Sequence, residues 1–180
     1  MTLRSRLAPL VLLLTLAGAT SVAAQASIVA RTSDVSTVDS IIAALYQTIS
    51  GPVGQPRQWD RFSTLFHPEA RLIPTRCPEA GTCTLRVMTP AQYRQNADTF
   101  LVKEGFQETE LARSTERYGN IAQAFSSYQS FRRGETTPFT RGINSIQLFW
   151  DGTRWWVLSI FWDSERPGNP LPAAFEKRAQ

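Results

Sequence analysis

Two long apolar runs, residues 143–150 and 153–162, meet at Asp151-Gly152. An Asp-Gly pair between two β-rich segments is a strong signal for a tight hairpin, because the turn needs positive φ that Gly and Asp tolerate. Both faces of the hairpin are apolar: Trp156, Leu158, Ile160 and Trp162 alternate with Trp155, Val157 and Phe161. An antiparallel sheet with one face in water needs apolar residues on the other face only. This hairpin therefore needs a cover on its second face. A homodimer through the sheet face is expected; a covering segment of the same chain is the alternative.

The rest of the chain orders itself around that hairpin. Residues 107–117 and 121–132 read as strands, turned at Tyr118-Gly119-Asn120, the second carrying Phe125, Tyr128 and Phe131. Upstream lie three helices. The first starts near Ser36, with Ser36 and Asp39 resembling a capping box, and carries Val38, Ile41, Ile42, Leu45 and Ile49 at helical spacing up to Gly51-Pro52. A shorter second helix aligns Trp59, Phe62, Leu65 and Phe66 and ends at His67-Pro68. Thr89-Pro90 opens the third, with a stripe of Tyr93, Ala97, Phe100 and Leu101. Between the second and third helices, residues 70–75 and 84–88 are extended and flank a short turn containing Cys77 and Cys83. Helices segregated from a run of antiparallel strands define an α+β domain, not a doubly wound one. Its span is 36–164.

The ends say where such a domain works. Residues 1–24 read as a bacterial-type signal peptide: Arg4 and Arg6, an apolar stretch from Leu7 to Leu16, and Val22-Ala23-Ala24 ahead of Gln25. The apolar stretch is too short for a membrane span. Residues 25–35 follow as a flexible leader, and 165–180 as a polar, frayed tail. The expected location is the periplasm or the medium, with no membrane attachment after cleavage. The net charge is +4, and the signal carries two of the arginines, so the mature chain is near +2. No basic block tracks a phosphate backbone, and nucleic acid is not an expected partner. In an oxidising compartment Cys77 and Cys83 form a disulfide staple, the alternative being a redox pair, which favours tighter spacing.

Four words carry a resemblance: residues 65–70 (LFHPEA), 115–122 (TERYGNIA), 142–148 (GINSIQL) and 151–159 (DGTRWWVLS). With the order of elements, they resemble the nuclear transport factor 2-like superfamily, in particular its secreted SnoaL-like bacterial members. The resemblance spans about 36–164. It implies a cystatin-like cone, with three N-terminal helices packed on a strongly curved, mainly antiparallel sheet and a pocket between them. Ketosteroid isomerases in that superfamily use a strand carboxylate, a first-helix tyrosine and a late-strand acid. The matching positions hold Pro74, Ala44 and Ile146, so the resemblance does not extend to that chemistry. A two-histidine dehydratase mechanism fails too, because His67 is the only histidine.

Candidate site residues are therefore read from the chain itself. His67 is the one side chain with an ordinary pKa near neutrality, a general base or simply a turn residue before Pro68. Glu108, Glu110 and Glu116 alternate along one strand face, and Glu110 is the expected acid or base if that face lines the pocket. Arg113 falls on the opposite face. Tyr46, Trp59, Phe66, Tyr93, Phe100, Tyr128 and Gln147 are the expected pocket lining. One histidine and two bridged cysteines do not make a zinc site. No nucleophile elbow, phosphate loop or dinucleotide fingerprint occurs. Neither metal nor cofactor is expected. The leading expectation is a binding domain for an apolar small molecule. The alternatives are a cofactor-independent lyase, isomerase or hydrolase, and a dimeric interaction protein.

Overall fold

The computed structural model describes residues 28–176. The signal segment 1–24 lies outside them. The elements are α1 (Thr32–Val35), α2 (Val38–Ile49), α3 (Trp59–Ser63), β1 (Phe66–Arg76), β2 (Thr84–Leu85), α4 (Pro90–Glu104), β3 (Gln107–Tyr118), β4 (Ile121–Phe131), β5 (Thr140–Trp150) and β6 (Trp155–Ser164), with a 3-10 turn at Ala173–Phe175. The strands form one sheet in the order β2-β1-β6-β5-β4-β3. All neighbours are antiparallel except β1 and β6. The sheet wraps the helices: α2 touches β3, at one edge, and also β6, while α4 reaches β1. Ile41, Ile42, Leu65, Ile146, Leu148 and Val157 form the fully buried centre between the two layers.

The first helix breaks differently from its sequence signal. Residues 32–35, read as flexible leader, form a helical turn closed by Ser36 N–H donating to the Thr32 carbonyl. Ser36 is thus spent, and the capping box of α2 pairs Thr37 with Ser40 instead of Ser36 with Asp39. The turn is docked by Asp34, whose carboxylate accepts from Arg61 Nε at 2.7 Å and Nη2 at 2.8 Å. Thr89 and Gln92 form the equivalent box on α4, with Pro90 in its first turn.

His67-Pro68 does not end a helix; it lies within β1. Pro68 has no N–H to give a ladder, and the β1–β6 register is irregular between Phe66 and Arg71, where the strand accommodates it.

Two further irregularities decide which side chains face inward. Opposed residues of an antiparallel pair share a face, so the register can be read across the sheet. Glu108 opposes Ser130 and Glu110 opposes Tyr128, on the concave side. A bulge then intervenes, and Ala112 opposes Ser127. Beyond it, Arg113 joins the concave face and Glu116 moves to the convex one. Strict alternation places Glu116 with the other two glutamates and Arg113 opposite; the extra residue, Leu111, reverses both. A second shift, between Gln147 and Leu148, lets Trp155, Val157, Ile160 and Trp162 all face inward.

The chain after Ser164 folds back over the convex face. Arg141 pairs with Glu165, Leu171 is buried, and Ser127 Oγ donates to the Phe175 carbonyl at 2.7 Å. The expected frayed tail is thus a partial cover for the second apolar face. Truncation after Ser164 is expected to cost about 2 kcal/mol through loss of the buried Leu171 alone. A lower melting temperature with increased apolar-dye binding checks it.

Cys77 and Cys83 are disulfide-bonded and close the turn between β1 and β2. Replacing both with serine is expected to lower stability by about 2 kcal/mol, given the short loop enclosed. Denaturant midpoints of the two proteins measure this. Among the described residues, no helix is long and apolar enough to cross a membrane.

Candidate functional site

A cavity of about 280 Å³ lies between the helices and the concave face of the sheet. Helix α2 contributes Leu45, Tyr46 and Ile49; α3 contributes Phe62; α4 contributes Tyr93, Ala97, Phe100 and Leu101. The sheet contributes Glu108 from β3, Tyr128 and Ser130 from β4, Asn144 and Ile146 from β5, and Ile160, Trp162 and Ser164 from β6. Phe106 and Phe139, edge to face, complete the wall. Phe100 is about two-fifths exposed and stands at the mouth. The Arg132 guanidinium sits 4.2 Å from the Phe139 ring centre and 6.0 Å from that of Phe100.

Among the described residues, Glu108 is the only charged one in the wall. Its Oε2 accepts from Ser130 Oγ at 2.7 Å. The residue borders the cavity, so water reaches it, yet protein surrounds the carboxyl group closely enough to penalise its charge. Burial pushes its pKa up to about 7, against the smaller opposing effect of the Ser130 hydrogen bond. Its charge in turn adds to burial in raising the Tyr46, Tyr93 and Tyr128 phenols, Tyr128 to about 12. Glu108 therefore sits among three neutral tyrosines and can hold or release a proton near neutral pH.

Glu110 has a different setting. It accepts from Ser126 Oγ at 2.5 Å and pairs with Arg113 at 3.4 Å. Arg113 also pairs with Asp39 at the surface. Since Ser126 donates to the carboxylate, its oxygen must accept from Tyr46 OH, 2.6 Å away. Tyr46 oxygen then accepts from Asn144 Nδ2 at 3.1 Å. A polar chain thus runs from Asn144 and Tyr46 on the cavity wall through Ser126 and Glu110 to Asp39 outside, hydrogen-bonded except for the Glu110–Arg113 ion pair. Glu110 belongs to that chain, which holds Tyr46 in place, and to a shallow outer recess. It does not line the main cavity.

The other expected residues divide. Tyr46, Tyr93, Phe100 and Tyr128 line the cavity. Trp59 and Phe66 lie behind it: both are buried and pack around Phe62, and Trp59 Nε1 donates to Asp98. Gln147 is on the convex face, bonded to Ser159 Oγ, because β5 pairing sets Ile146 and not its neighbour inward. His67 is also off the cavity, edge-on to Phe149 and Trp156, with Nδ1 accepting from the Glu69 backbone. Sequence reasoning passed over Asn144, Phe106, Trp162 and the selection of Glu108 over Glu110. Alternation along β5 and β6 is visible in the sequence, but not which face turns inward, and Glu108 and Glu110 share one face and are separated only by tertiary contacts, which tie Glu110 to Ser126 and Arg113. Among the described residues no group of three or more potential ligands could hold a metal ion.

Layered helices on one wrapped, mainly antiparallel sheet, with a cavity between, define an α+β domain of the cystatin-like fold. No family model matches the sequence, and no curated protein matches it. Solved structures match in fold. One is a protein of unknown function with a cystatin-like fold from Nostoc punctiforme, with a TM-score of 0.55 at 9% identity over 71% of this chain and 88% of that one. Another, from Novosphingobium aromaticivorans, is assigned as the β subunit of an aromatic-ring-hydroxylating dioxygenase: TM-score 0.54, 16% identity, 73% and 90% coverage. A Kribbella flavida protein assigned as a ketosteroid isomerase has a TM-score of 0.42 at 16% identity, with 83% and 100% coverage. At such identities the likeness is one of fold.

Proposed function

We propose that this chain is an exported small-molecule-binding domain of the nuclear transport factor 2-like superfamily, of the secreted SnoaL-like kind. It holds one compact, largely apolar ligand in the cone. The cavity between α2, α4 and the concave sheet carries this reading: about 280 Å³, walled mostly by aromatic and aliphatic side chains, with a few convergent polar groups. That is just below the range of about 300–1,000 Å³ typical of ligand sites, so the ligand is smaller than most drugs. The signal segment and the disulfide support export. The test is to express the chain with its own leader in a bacterial host and recover it from the periplasm. Native mass spectrometry should then detect a bound apolar molecule, or a screen of small apolar compounds should raise the melting temperature. A full screen with no bound species and no shift sinks the reading.

Acid–base catalysis is the second reading, and Glu108 favours it over His67 or Glu110. A carboxyl group that titrates near neutrality inside an apolar cavity suits proton transfer in a cofactor-independent lyase or isomerase. Equal turnover by wild type and Glu108→Gln on any substrate found would reject it.

A homodimer through the sheet face also stands as a proposal. The tail leaves Tyr118, Ile121 and Leu158 exposed on the convex side. Light scattering on the full mature chain decides it, a monomer at high concentration being the contrary result.

A further inference from the structure

We infer that the cavity is built for a small organic cation: a protonated amine or quaternary ammonium with an apolar body. This rests on the cavity being a ligand site at all, and adds the chemistry of the occupant.

Eight of the twenty lining residues are aromatic, and the one formal charge among the twenty is the Glu108 carboxylate. Among the described residues, no lysine, arginine or histidine lines the wall. Aromatic faces attract cations through their quadrupoles, and the attraction grows where water is excluded. An anion entering here would lose its hydration and meet Glu108. A neutral hydrocarbon would gain from burial but nothing from the carboxylate.

The hydrogen-bonding balance points the same way. Ser130 has given its proton to Glu108 Oε2, and Tyr46 has given its own to Ser126. Among the described residues, Glu108 Oε1 and Asn144 Oδ1 have no protein donor. These two acceptors are unspent, beside the Tyr93 hydroxyl, which also has no protein partner among the described residues. An N–H-bearing cation satisfies acceptors, and a quaternary one satisfies charge. Two of the lining rings, Phe139 and Phe100, already hold the Arg132 guanidinium at the rim. Arg132 itself is exposed, so its charge is screened by solvent.

The groups around Glu108 are Tyr46 from α2, Tyr93 from α4, and Tyr128 and Ser130 from β4. Glu110 lies two residues along β3, tied to Ser126 and Arg113. Asp163 faces Tyr128 from farther off and is paired with Arg166 and Thr75. None supplies a cation to Glu108 inside the cavity. A bound ammonium would, and would hold the carboxylate ionised, so its binding strengthens as pH rises. A neutral ligand accepting a hydrogen bond from the protonated acid would show the reverse.

The test uses two isosteres, phenyltrimethylammonium and tert-butylbenzene, titrated by protein-observed NMR at pH 5.5 and pH 8. The cation should bind about tenfold tighter at pH 8 than at pH 5.5, as expected for a carboxyl titrating near 7. At pH 8 it should bind tighter than tert-butylbenzene. Glu108→Gln should lose the pH dependence and the preference while still binding tert-butylbenzene. Equal, pH-independent binding of both isosteres by the wild type overturns the cation inference and leaves the cavity reading intact. Binding of neither overturns both. The wild-type pH series decides the matter even if the variant does not fold.

Discussion

Glu108→Gln is expected to raise stability at pH 8 by up to about 3 kcal/mol and to flatten its pH dependence. The sign follows from burial, which makes the folded carboxyl the weaker acid. It ordinarily titrates at 4.5 and in the fold at about 7. Below pH 4.5 it is protonated in both states and contributes nothing to the pH dependence. Between 4.5 and 7 the unfolded chain releases its proton first, and stability falls as pH rises. Above 7 the full cost of burying the charge is present, at about 1.4 kcal/mol for each tenfold difference in proton affinity between the folded and unfolded chain. Glutamine keeps an acceptor for Ser130 and never ionises. In a chain of this size the gain corresponds to a melting temperature roughly 6–12 °C higher at pH 8, vanishing near pH 4. Parallel melting curves for the two proteins across pH 4–8 would show that Glu108 is not the strained group described.

Asp34→Ala is expected to cost about 3 kcal/mol, with the effect lost in acid. Asp34 and Arg61 are largely buried, with side-chain exposures of 7% and 14%, and removing one partner strands the other. Gln47 and Gln58 also accept from Arg61 and soften the loss. The Arg61 hydrogen bonds hold the Asp34 carboxyl below its ordinary 3.8. Its contribution is therefore complete above pH 3.8 and disappears as pH falls through the lower, folded value. Urea unfolding at pH 7 reads the full difference. The double variant with Arg61→Ala should cost less than the sum of the two singles, since the pair is lost once. Additive costs would mean the ion pair does not dock α1.

Asp34 also illustrates where the sequence is silent. Nothing local marks residues 32–35 as structured, because their helical turn is held by an arginine 27 positions away. The elements with local signals are legible: the Thr89-Pro90 helix start, the Asp151-Gly152 hairpin and the α+β order all stand in the structure. So are four of the cavity side chains, Tyr46, Tyr93, Phe100 and Tyr128. Tyr46 is reached from its setting, while positional correspondence with an isomerase stops at Ala44, which is buried in the core. The losses have separate causes. Period-two reasoning assumes an unbroken strand, and the slip in β3 misplaces Glu116. Gln147 lies on a β5 that alternates regularly, but its inward phase is set by pairing with β4 and has no local signal. His67 is misplaced because Pro68 reads as a stop, yet an irregular strand absorbs it.

The slip in β3 has a consequence for how such a domain changes over time. Leu111 is one residue of length that sets the phase of everything before it against everything after it. Removing it would leave both halves as they stand: Glu110 and Ala112 already oppose the adjacent residues Tyr128 and Ser127, so the ladder would close with Glu108 and Arg113 still inward. A lineage could thus drop this residue by a single codon's deletion and keep the acid of the cone, although strict alternation read from its sequence would then change for every residue beyond.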